Sequence, residues 1–161
     1  MADGTVHRYG VTCSWAGSTA AGYDAYDRRH RATAPPAAAP LDLAADPAFR
    51  GDAQLLNPEQ LLVLAAASCQ LLSFLAVCAR ARLDVVAYDD EAEAVMPEST
   101  RPCRITAITL RPRITVRAPA TEAQVRRLVD VAHRECFIAN TITSHVVIEP
   151  TIEVVAGGPG A

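Results

Sequence analysis

Residues 57–82, NPEQLLVLAAASCQLLSFLAVCARAR, decide the architecture of the chain. They read as one long helix. Asn57 is placed to cap it, Pro58 stands where its missing N–H does no harm, and Gln60 completes an N-x-x-Q capping box. Glu59 lies in the first turn and Arg80 and Arg82 in the last, as the helix dipole favours. The helix should end before Asp84. No charged side chain lies between Glu59 and Arg80. A helix that is apolar on every side is expected to be buried on every side. Cys69 stands near its middle, and a thiol there is either an inert core residue or the reason for the helix.

Composition narrows the classes. The chain has 161 residues, half of them hydrophobic, with a net charge of −3. That suits a single domain spanning residues 1–161 with a substantial core. All fifteen basic residues are arginine, and no basic run is long enough for nucleic acid. The opening MADGTVHRYG lacks a secretory apolar core, so a cytoplasmic protein is expected. The five cysteines, Cys13, Cys69, Cys78, Cys103 and Cys136, form neither CxxC nor a zinc pattern. In a reducing compartment they are expected as thiols. The uncharged run 60–79 is long enough to span a membrane. It carries Gln60, Ser68, Gln70 and Ser73 and has no flanking aromatic belt, so no membrane is expected.

The chain around the helix alternates between strand and turn. Residues 6–15 and 22–32 have strand character, with the charged set Asp27, Arg28, Arg29, His30 and Arg31 read as a solvated edge or hairpin end. Prolines make 33–40 a loop, 41–43 is a short strand, and 46–52 is a run of turns. Residues 84–96 read as a strand. In 103–117, apolar Ile108, Leu110, Ile114 and Val116 alternate with Thr and Arg, so one face of that strand meets solvent. Pro112 inside it predicts a bulge or an edge. Thr121 opens a second helix as T-x-x-Q, with the stripe Val125, Leu128, Val129, Ala132 and Cys136 facing the core. Residues 138–143 suit a helical turn, 145–155 a last strand, and the Gly/Pro end is expected to fray. Because strands and helices do not alternate strictly, the fold class is α+β with a largely antiparallel sheet.

Cys13 and Cys78 read most simply as small core residues. Cys69 and Cys136 both lie on buried helix faces and would meet if the two helices pack together. His133, three residues before Cys136, shares its face, the spacing of a Cys–His dyad for nucleophilic catalysis.

Taken together, the segments resemble the OsmC/Ohr family. NPEQLLVLAAASCQLL resembles its Asn-Pro-Glu helix start, with a reactive Cys ten residues after the Glu. WAGSTAAGYDAYDRRH resembles its N-terminal hairpin, DPAFRGD the linker of an OsmC-like subgroup, and HRECFIANTI its second-Cys motif, Cys-Pro-x-Ser-Asn. The resemblance covers about residues 6–155. It implies an OsmC-like sheet wrapped around a long central helix, in an intertwined dimer. It also implies a thiol peroxidase that reduces organic hydroperoxides without haem, metal or other cofactor.

By this resemblance Cys69 is the peroxidatic cysteine and Cys136 the resolving one. Glu59 pairs with Arg28 to activate the first thiol; Arg29 stands where the family has Asp, and Phe137 where it has Pro. The thiolate attacks the O–O bond, a Cys69 sulfenic acid forms, and Cys136 condenses with it to a disulfide. A dithiol, dihydrolipoyl groups by the resemblance, resets the enzyme. The alternative is an OsmC-like stress or binding protein with little peroxidase activity. Ten helical residues place Glu59 about 15 Å from Cys69 along the axis. Glu59 is therefore expected to serve the Cys69 of a partner subunit across a homodimer seam, which also accounts for the uncharged helix.

Overall fold

Both halves of the capping box at Asn57 are formed in the computed structural model, which describes residues 4–156. The Asn57 side-chain oxygen accepts from the Gln60 N–H at 2.8 Å, and the Gln60 side chain accepts from the Asn57 N–H at 3.1 Å. From there α1 runs unbroken over Pro58–Arg80. It stops at Arg82, which takes a left-handed backbone with φ 56. The N–H groups of Arg82 and Leu83 return to the Ala79 and Cys78 carbonyls, the paired bonds of a Schellman stop.

The chain forms two compact units, Met1–Leu61 and Leu62–Ala161. In the first, β1 (Thr12–Ser14), β2 (His30–Thr33) and β3 (Leu41–Leu43) pair antiparallel in that order. The expected first strand shrinks to three residues, and the second survives only from His30 onward. Residues between them fold on themselves instead. Gly22 turns the chain at φ 87, where a side chain is disfavoured. Arg28 donates to the carbonyls of Tyr23 and Tyr26, and the Trp15 indole donates to the Asp27 carbonyl at 2.7 Å. A 3₁₀ turn at Pro47–Phe49 is capped by Asp46, which also accepts from the Asn57 carboxamide.

In the second unit, each long strand foreseen from the sequence is broken into two. β4 (Val85–Asp90) and β5 (Glu93–Val95) replace the first, β6 (Ala107–Leu110) and β7 (Pro112–Arg117) the second, and β8 (His145–Ile148) and β9 (Thr151–Val155) the last. They form two sheets, β4-β7-β9 and β5-β6-β8, each with one antiparallel and one parallel pair. The breaks coincide. Pro112 and Pro150 supply no ladder N–H, and Arg111 sits in the gap, its N–H on Asp90 and its side chain on Glu93 and Glu149. Pro112 therefore marks neither an edge nor a bulge. It is the first residue of a central strand, another position where proline is tolerated. Buried Ile108, Leu110, Ile114 and Val116 keep one alternation across the break. With the two helices, these sheets give the expected α+β class. The Gly/Pro end lies outside the described residues.

The apolar stripe of α2 (Glu122–Glu135) falls as its periodicity requires, with Val125, Val129 and Ala132 buried and Thr121 accepting from the Gln124 N–H. Together with Phe74, Val77 and Cys78 of α1 and Ile114 and Val116 of β7, these form one core. Ala66 of α1 packs with Ile105, Ile108 and Leu110 in a second. The opposite face of α1 corrects the expectation of all-round burial: Leu64, Leu72 and Leu75 are 57%, 63% and 39% exposed. Their spacing, with Ser68 and Ala79, makes one continuous stripe along the helix. α1 is also long and apolar enough to cross a membrane by length and composition.

Candidate active site

Cys69 projects from the middle of α1 into the space beyond the end of α2, where Cys136 forms the C-cap. The two thiols are close enough to affect each other's acidity, and both are free. Cys136 is almost wholly buried at 1% exposure, and its extended backbone (φ −69, ψ 112) ends the helix abruptly. The turn that follows reaches back to Cys69, with the Ile138 N–H donating to its sulfur at 3.5 Å.

These contacts split the acidities of the two thiols. Burial by itself raises the Cys69 pKa. The Ile138 N–H, the Cys136 thiol, the Phe137 N–H and the Ser73 hydroxyl all favour the thiolate, and together they hold Cys69 below its ordinary value. Burial pushes the Cys136 thiol up to about 11, and the hydrogen bond to Cys69 adds to it. Cys69 is thus the more acidic thiol of the pair and Cys136 the one that holds its proton. A cavity of about 480 Å³ opens beside Cys69, with Ala65, Leu72, Ala76, Phe137 and Ile138 as its apolar wall. Arg80 also lines it, with its guanidinium engaged by Glu135.

Arg28 and Glu59 line a second cavity, of about 600 Å³, together with Cys13, Trp15, Tyr23 and Tyr26. The Arg28 guanidinium lies between two aromatic rings, 4.0 Å from the Tyr26 centroid and 4.8 Å from that of Tyr23. It donates to the carbonyls of Tyr26 and Tyr23, and no ion pair with Glu59 is present among the described residues. Arg29 is engaged elsewhere, clasping Asp27 at 2.8 Å in the open. Of the two arginines, Arg28 is the one whose cavity also holds Glu59.

His133 gives Cys136 only a backbone contact, its carbonyl accepting the Cys136 N–H, while its Nδ1 is buried without a partner. The side-chain dyad foreseen from the spacing is not formed. Among the described residues no group of three or more His, Cys, Asp or Glu side chains is arranged to hold a metal ion.

Residues 51–151 match the family described as OsmC-like protein. The chain belongs to this family. Its fold is that of solved OsmC-like structures. One is an OsmC-like protein of unknown function from Vibrio cholerae, 24% identical with a TM-score of 0.82, covering 91% of this chain and 100% of that one. Another is an organic hydroperoxide resistance protein OsmC from Legionella pneumophila, at 18% identity and TM-score 0.68, with coverage of 94% and 100%. A third is an organic hydroperoxide resistance protein from Elizabethkingia anophelis with thiocyanate bound, at 14% and 0.71, with coverage of 94% and 99%. No curated protein matches the chain.

Within this OsmC-like fold, four contributors to the site were given no role in it by the sequence reading: the Ser73 hydroxyl, the Phe137 and Ile138 amides and the Gln70 carboxamide. Ser73 lies four residues after Cys69, on the same helix face, and that spacing is the signal that points to it. The amides of Phe137 and Ile138 carry no side-chain signature at all. Gln70 is 1% exposed in the middle of the apolar run, its carboxamide donating to the Val129 carbonyl at 3.4 Å. It ties α1 to α2 next to the thiol pair.

Proposed function

We propose that the protein is a thiol peroxidase acting on organic hydroperoxides. The observation that carries this reading is the placement of two free thiols, Cys69 and Cys136, against the one turn that follows α2, with Cys69 beside an apolar cavity. The Cys69 thiolate attacks one peroxide oxygen and the O–O bond breaks. The alkoxide leaves and is protonated to the alcohol, and Cys69 becomes a sulfenic acid. The Cys136 sulfur then bonds to the Cys69 sulfur, and its proton leaves with the hydroxyl as water. A dithiol, of the dihydrolipoyl kind, returns both thiols by exchange and is itself oxidised to a disulfide. Reducing surroundings such as the cytoplasm suit that cycle.

The reading includes a homodimer. The exposed stripe Leu64, Leu72 and Leu75 is the face such a dimer covers, since large unpaired apolar surface on α1 is costly in water. Glu59 and Cys69 are ten residues apart on unbroken α1, about 15 Å along the axis. Arg28 and Glu59 of one subunit would then serve the Cys69 of its partner.

Two experiments test this. The protein should consume cumene hydroperoxide continuously with a dihydrolipoyl dithiol, while Cys136→Ser should consume one equivalent per Cys69 and stop. A burst without turnover in the unsubstituted protein under any dithiol supports the stress or binding alternative instead. Sedimentation should give a dimer that Leu64→Asp, on the stripe but outside the Cys69 cavity, dissociates with loss of turnover. A fully active monomer would overturn the shared site.

A further inference from the structure

The turn after α2 serves both sulfurs with consecutive amides. The Ile138 N–H donates to the Cys69 sulfur and the Ala139 N–H to the Cys136 sulfur, each at 3.5 Å. The Ile138 N–H belongs to the same peptide plane as the Phe137 carbonyl, and in a trans peptide the two point in opposite directions. The Thr141 hydroxyl donates to that carbonyl at 2.7 Å. One peptide group is therefore held at both ends, by Thr141 on its oxygen and by Cys69 on its N–H. A bond to the carbonyl also polarises the N–H opposite it.

Asn140 anchors the rest of the turn. Its carboxamide donates to the carbonyls of Arg134 at 2.9 Å and Cys136 at 2.8 Å, and its own N–H reaches the Cys136 carbonyl at 3.1 Å. These are acceptors that the end of α2 would otherwise leave open.

From these contacts we infer that Thr141 is a positioning residue for the Cys69 sulfur, aiming and polarising the Phe137–Ile138 peptide toward the charge on the thiolate. It touches neither the thiol nor the cavity and acts through the peptide. The inference rests on the peroxidase reading for its purpose, since the aimed charge is that of the attacking thiolate, but it is measured without peroxide. It also gives the turn a reason to tolerate Phe137. The Ile138 donor is backbone and follows position 137, so it does not depend on a proline there, and Phe137 is 81% exposed.

The test is the pH dependence of iodoacetamide alkylation, read cysteine by cysteine by peptide mass mapping. Thr141→Val keeps the shape and removes the hydroxyl. It should slow Cys69 alkylation at pH 7 about threefold to tenfold, the net worth of one hydrogen bond, and move its midpoint upward. Thr141→Ser should restore both, and Cys103 should react alike in all three proteins. Equal Cys69 profiles for wild type and Thr141→Val overturn the inference, as does a Thr141→Ser profile shifted as far as that of Thr141→Val. In the unsubstituted protein the Ile138 amide resonance should titrate together with Cys69. An amide that ignores that titration overturns the inference even where a variant fails to fold. Absence of peroxide turnover in wild type, with these alkylation results intact, sinks the peroxidase reading alone.

Discussion

Cys69 and Cys78 sit nine residues apart on α1, about half a rotation round the helix axis. Both are thiols in an uncharged run, and their fates are opposite. Cys78 packs among Phe74, Val77, Ile114 and Val116, where burial pushes its pKa up to about 11. Cys69 faces a turn that presents two amides, a thiol and, from its own helix, the Ser73 hydroxyl, and its pKa falls. Burial acts against the thiolate at both. The difference is the donors opposite Cys69, which are strong enough to reverse the sign. A reactive and an inert cysteine therefore differ in what faces them, rather than in the helix that carries them.

The largest expected effect separates the two thiols by function. Cys69→Ser should lower cumene hydroperoxide turnover at least about a thousandfold, roughly 4 kcal/mol of lost transition-state stabilisation. Cys78→Ala should leave the rate within about twofold of wild type at 25 °C, the lower end of the factors that decide catalysis. Equal loss from both would erase the distinction. Stability should show the converse. Phe74→Ala opens a cavity in the Cys78 core and should cost about 3–5 kcal/mol in urea unfolding. An effect below about 1 kcal/mol would mean that this core collapses freely, outside the usual range for such a truncation.

Alkaline pH separates the two more finely. The Cys78 thiol is raised in the folded state, so its contribution to stability is complete below pH 9.0 and is lost as pH climbs towards 11. That loss is on the order of 2 kcal/mol for a shift of this size. Cys69 has the reverse sign. Its folded-state pKa is depressed, so the stability it supplies is complete above its unfolded value of 9.0 and fades as pH falls through the lowered one. Urea unfolding from pH 7 to 11 should therefore show a falling limb above pH 9. Cys78→Ala should shrink that limb without removing it, because Cys136 is raised in the same way. The smallest effect is on Ser73. Ser73→Ala should slow Cys69 alkylation at pH 7 by about twofold, the low end for a single neutral hydrogen bond, and leave Cys78 unchanged.

The sequence was most legible where function and local geometry coincide. The capping box at Asn57 and Gln60, the α2 stripe through Val125, Val129 and Ala132, and the alternation through Ile114 and Val116 depend on neighbours a few residues away. They are found where the pattern requires. Strand ends were less legible. Residues 22–29 have strand-like composition, yet Arg28 and Arg29 satisfy nearby carbonyls and Asp27, contacts that compete with a ladder. Pro112 was correctly read as a disturbance but misplaced at an edge, because a strand's rank in a sheet depends on β4 and β9, segments far from it in sequence.

By itself the sequence determined that a long, capped, uncharged helix would carry Cys69, that a second amphipathic helix would carry Cys136 on its buried stripe, and that strands would accompany them. Those outcomes follow from periodicity and local capping. Only the tertiary structure decided which thiol is the more acidic. The Ile138 and Phe137 amides that favour the Cys69 thiolate have no side-chain identity to read, and they reach it only because the turn after α2 folds back across α1. Tertiary packing also decided that α1 is buried on one side and bare along Leu64, Leu72 and Leu75. Hydrophobicity favours burial of such a face, whereas the two sheets and one short helix of the second unit pack against the other side of α1.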